Sequence, residues 1–94
     1  MVIGTARITL YLPENYSLKD KRHDIRSLLA QIVNTFRVSA AEVGDLNSWT
    51  RSVVGVAFVS NDTRHANEVV ITFIESHLPE GGVEDYEVEM VHMG

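Results

Sequence analysis

The residues best suited to chemistry in this chain are three cations in the run Ser17-Leu18-Lys19-Asp20-Lys21-Arg22. Lys19, Lys21 and Arg22 fall in the first two turns of a helix whose apolar stripe begins at Leu18. The positive end of the helix dipole disfavours cations there by a few tenths of a kcal/mol each. The same end, with its free backbone N–H groups, suits a phosphate. Arg26 continues the group one turn further along. The chemistry these residues can do is to hold an anion. The structural alternative is a solvated flank, with lysine stems over the core edge and Asp20 and Asp24 as pairing partners.

A second group is Glu42, Trp49 and Arg51, around a hairpin. A tryptophan beside a loop at a strand start offers a stacking or partner surface, although such residues more often cap a core edge. Glu42 and Arg51 are also spaced to pair across strands. The run Gly55-Val56-Ala57-Phe58-Val59 bears a faint likeness to the base-stacking strand of RNA-recognition domains. One aromatic position there is Val56, the first strand offers only Tyr11, and cations are few, so that mode is disfavoured. A flat face with Gly55 and Ala57 suits packing against a second copy, so the competing expectation is a self-associating structural or regulatory domain that uses the open sheet face to form a homodimer or to bind a small ligand.

Other chemistries lack their residues. His23, His65, His77 and His92 are dispersed, and His65-x-x-Glu68 has no third ligand, so no metal is expected. Ser39, Ser60 and Thr63 sit in no nucleophile motif, and Gly81-Gly82 follows a helix rather than opening one. No cofactor is called for, and the reading leans against an enzyme. The chain has no cysteine, which removes disulfides and thiolate catalysis.

The elements that must position these residues follow from patterning. At 94 residues, 45% hydrophobic and 22% charged, the chain reads as one domain, 1–94. Residues 2–12 alternate as a strand ended by Pro13. Residues 18–36 carry Leu18, Ile25, Leu28, Leu29, Ile32, Val33 and Phe36 at helical spacing, with Ser17 as N-cap. Strands are expected over 37–44, 50–60 and 84–92. A second helix is expected from Asn61 or Asp62 to about Leu78, stopped by Pro79-Glu80-Gly81-Gly82. His77 reads as a helix-end residue near the core. The order βαββαβ predicts a ferredoxin-like α+β sandwich. It has a four-stranded antiparallel sheet in order 4-1-3-2, with both helices on one face. The acidic row of the last strand fits an edge, and Arg7 is placed to pair with Glu87 or Glu89.

Residues 17–26 hold four cations against two carboxylates, a local +2. That leaves −7 on the rest of a chain of net charge −5. Such a balance argues against a generic nucleic-acid binder but allows one local anion contact. No signal peptide and no membrane-length apolar run is visible, so a soluble cytoplasmic protein is expected.

Ser17-Leu18-Lys19-x-Lys21-Arg22, Val38-Ser39-Ala40-Ala41-Glu42-Val43-Gly44, Trp49-x-Arg51, Gly55-Val56-Ala57, Val59-Ser60-Asn61-Asp62 and His65-Ala66 together form a specific pattern. It resembles the YlxP-like bacterial family, a domain of unknown function (number 503), over nearly the whole chain. Thr50 departs from the glutamine frequent in relatives. The resemblance implies a ferredoxin-like fold and a small cytoplasmic protein. It also implies gene neighbourhoods rich in translation and ribosome-maturation functions, hence a ribosome or RNA partner. It brings no catalytic residues. The reading is therefore a binding protein that contacts phosphate through Lys19, Lys21, Arg22 and Arg26, with Glu42, Trp49 and Arg51 as a partner surface.

Overall fold

A computed structural model of the protein describes residues 1–14, 16–76 and 82–94, and six elements lie in them. In chain order they are β1 (Val2–Tyr11), α1 (Leu18–Phe36), β2 (Ser39–Gly44), β3 (Arg51–Ser60), α2 (Thr63–Ser76) and β4 (Val83–His92). The strands form one antiparallel sheet in the order β2-β3-β1-β4. This is the expected ferredoxin-like arrangement.

Alternation places Ala6, Ile8 and Leu10 of β1 on the covered face, opposite Val56, Val54 and Ser52 of β3. Ile25 and Ile32 of α1 and Val70 and Phe73 of α2 close the core over them. Phe36 meets Phe73 edge to face at 5.6 Å between ring centres. Gly4 is required by close approach. A Cβ there would lie 2.5 Å from Cζ of Phe58, its partner in the β1–β3 register.

Local chemistry sets the element ends. The Ser17 hydroxyl accepts from the Asp20 N–H at 3.1 Å, the expected N-cap of α1. Asp62, rather than Asn61, caps α2. Its Oδ1 accepts from the Arg64 N–H and its carbonyl from the Ala66 N–H. β2 begins two residues later than expected. Arg37 takes a left-handed conformation (φ 55°, ψ 48°) and donates its N–H to the Val33 carbonyl, closing α1 instead of opening a strand. His77, Leu78 and residues 79–81 of the expected stop lie outside the described residues.

β4 is the edge strand that its acidic row suggests. Among the described residues neither helix packs broadly on it, and Tyr86 and Val88 are exposed although they share the covered face. On the open face Arg7 is registered with Glu87, yet among the described residues it forms no ion pair within 4.0 Å. The far end of that face carries an apolar row, Val59, Ile3 and Val91.

Candidate functional site

Of the four cations at the start of α1, three are on the surface and one is not. Lys19, Arg22 and Arg26 are exposed, while Lys21 has no solvent-accessible surface. This corrects the expectation that Lys21 contacts phosphate. The reason is helical phase: Lys21, Ile25, Leu28 and Ile32 recur at four, three and four residues, which is the core stripe. Lys21 stands on that stripe one turn before Ile25.

The buried ammonium is held by four oxygens. Nζ donates to the carbonyls of Asp45 at 2.7 Å, Arg51 at 3.1 Å and Leu46 at 3.3 Å. Glu42 Oε2 lies 3.0 Å away. The same Oε2 accepts the Ser52 hydroxyl at 2.6 Å. A buried charge requires pairing and hydrogen bonding, and this one has both. Its four partners come from β2 (Glu42), from β3 (Arg51) and from the loop that joins them (Asp45 and Leu46). The site therefore ties the first turns of α1 to both ends of the 45–50 loop.

The loop is closed by its own bonds as well. Asp45 adopts a left-handed conformation (φ 54°) tolerable for its short polar side chain. The Asp45 carbonyl accepts from the Ser48 N–H, and the Ser48 hydroxyl accepts from the N–H groups of Thr50 and Arg51. The Thr50 carbonyl accepts from the Leu12 N–H at 2.6 Å, which joins the loop to the end of β1. On this fixed loop two large apolar side chains, Leu46 and Trp49, are about half exposed. Trp49 thus presents part of its indole to solvent.

Glu42 and Arg51 are not partners of each other. Glu42 faces inward to Lys21 and Ser52. Arg51 lies on the open face, where it makes two hydrogen bonds to Glu84, from Nε at 3.1 Å and from Nη2 at 3.0 Å. Its Cζ also sits 5.5 Å from the centre of the Tyr11 ring. The bond to Glu84 and its charge raise the Arg51 pKa above its ordinary value. The bond from Arg51, chiefly, lowers that of Glu84. Two residues of this region, Ser52 and Tyr11, are absent from the expected partner set. Ser52 could have been found as a polar residue in phase with Val54, Val56 and Phe58.

The Lys21–Glu42–Ser52 set is sealed from solvent at its ammonium and hydroxyl, and its donors are engaged. Among the described residues no group of three His, Asp or Glu side chains is placed to hold a metal ion. No helix among them is long and apolar enough to cross a membrane.

Residues 3–90 match the family described as "Protein of unknown function (DUF503)". The chain belongs to that family. It is similar to a DUF503 relative from Bacillus subtilis (strain 168), "Uncharacterized protein YlxP". The two are 33% identical over 78 residues, which cover 80% of this chain and 85% of the relative. Of the residues that carry the resemblance, Lys21 and Glu42 meet in the knot that ties α1 to β2 and to the β2–β3 loop.

Proposed function

We propose that this DUF503 protein is a non-catalytic binding protein that contacts RNA, alone or within a ribonucleoprotein such as the ribosome, in the cytoplasm. The observation that supports it is the exposure of Lys19, Arg22 and Arg26 along one flank at the positive end of α1, on a protein of net charge −5. Phosphate contact positions a partner without reading its sequence. The translation-related neighbourhoods implied by the family resemblance point the same way.

The test is co-sedimentation with ribosomes across a salt series. The probe is the Lys19→Glu, Arg22→Glu double variant, since charge reversal at Lys21 would disrupt the interior. Binding at low salt that the double variant abolishes is expected. Absence of binding at low salt, or binding indifferent to the reversal, removes the reading.

A second reading is self-association through the open sheet face. It is favoured by the exposed Val59 and Val91 flanking Ile3. It requires a concentration-dependent mass in sedimentation equilibrium, unaffected by the same double variant. A strict monomer excludes it.

A further inference from the structure

The aromatic residues of this chain are sorted by type. Phe36, Phe58 and Phe73 belong to the core, whereas Tyr11, Tyr16, Trp49 and Tyr86 are all exposed. Three of those four lie in the segments that end β1, lead into α1 and join β2 to β3. Tyr11 is registered with Arg51, two residues from Trp49, and the neighbouring Leu12 N–H is bonded to the Thr50 carbonyl. Tyr16 directly precedes the Ser17 cap. The Lys21 ammonium, two residues from Lys19 and one from Arg22, holds the loop that carries Trp49.

The charges around this cluster are mixed. Lys19, Arg22, Arg26 and Arg51 are interspersed with Asp20, Asp24 and Asp45, and Arg51 is already engaged by Glu84. A duplex reader depends on many phosphate contacts, and this surface can make only a few. A rigid loop with an exposed indole supplies what phosphate contacts cannot. Every base has a face that stacks on an aromatic ring, and a fixed loop loses little freedom on engagement.

We propose that this end of the molecule binds single-stranded RNA, with an unpaired base stacked on Trp49 and the adjoining backbone held by Lys19 and Arg22. The proposal rests on the RNA-binding reading above and narrows it to unpaired segments.

Trp49 is the single tryptophan of the chain, so the stacked residue reports on itself. The experiment titrates the full chain with an unstructured RNA of about 10 nucleotides, within the range that one small single-strand site covers. The same sequence is tested as a blunt duplex and as DNA. Tryptophan emission and RNA anisotropy are followed together. The single strand is expected to quench emission and to bind about tenfold or more tighter than the duplex. Trp49→Ala should lose about tenfold, with Trp49→Phe retaining most of the affinity. The salt slope should be near −1.4, about two phosphates. Trp49 is exposed, so both variants should fold, which circular dichroism checks.

Equal binding of single strand and duplex, with unchanged emission and with loss in Lys19→Glu, Arg22→Glu, overturns base stacking and leaves phosphate contact standing. Affinity unchanged in Trp49→Ala overturns it likewise. No binding of any nucleic acid at low salt overturns both readings and assigns the exposed Trp49 and Leu46 to a protein partner. Equal affinity for the DNA strand supports stacking but denies a role for the 2′-hydroxyl.

Discussion

Lys21 shows how one residue can be read by type and misread by place. Its charge groups it with Lys19 and Arg22, but its position four residues before Ile25 puts it inside. Glu42 is in phase with Ala40, and Ser52 with Val54, so each of the three polar residues was legible as an inward position. That they meet is not legible, because β2, β3 and α1 converge only in three dimensions. Removing one partner of such a buried pair is expensive, and Lys21→Ala is expected to destabilise by about 3–5 kcal/mol in urea unfolding. An apolar replacement often recovers a buried ion pair, but here the carbonyls of Asp45, Leu46 and Arg51 also lose the ammonium donor. The Lys21→Met, Glu42→Leu double variant should stay about 2 kcal/mol or more below the parent. Full recovery would refute the capping role. The Arg51–Glu84 pair is exposed and contributes little. Its pH signature is nonetheless defined. Glu84 has a lowered folded-state pKa, so its contribution is present above the ordinary carboxylate range and fades as pH falls through the lowered value. Stability curves of the parent and Glu84→Gln should therefore differ near neutrality and converge in acid.

At the scale of elements the patterning was nearly sufficient. The order, the caps at Ser17 and Asp62, and the central place of β1 and β3 all follow from alternation, helical spacing and turn residues. What failed were places where backbone conformation decides. Arg37 was read as a strand start, yet it occupies a left-handed cap that no side-chain pattern marks. Arg37→Gly should stabilise by about 0.5–1 kcal/mol by removing the Cβ penalty, measurable by thermal or urea unfolding. Gly4→Ala should do the reverse. The new methyl meets the Phe58 ring, and a loss of about 1–3 kcal/mol is expected. A Phe58→Leu background should reduce that loss if the clash is its cause. β4 was legible as an edge strand, but its alternation does not show that the helices leave Tyr86 and Val88 in solvent.

The whole molecule is electrically lopsided. Exposed cations line one flank of α1, while Glu84, Asp85, Glu87 and Glu89 crowd β4. A polyanion approaching the sheet edge is repelled, and one approaching α1 is admitted. On the proposed RNA-binding reading, neutralising three of these acids (Asp85→Asn, Glu87→Gln, Glu89→Gln) should raise RNA association rates several-fold at low salt. The difference should vanish as the Debye length shrinks to about 3 Å near 1 M salt. The same variant removes the charges that guard an edge strand, so added self-association is expected in light scattering. The Lys21 knot has a consequence at this scale as well. Opening the loop would break its three carbonyl contacts with the ammonium together, so the 45–50 loop has no inexpensive open state. Loops commonly exchange their amide protons through local fluctuations. Here the bonded amides of Ser48, Thr50 and Arg51 should exchange only when the chain unfolds, as slowly as those of the central strands, although two of the loop's largest side chains stand in water.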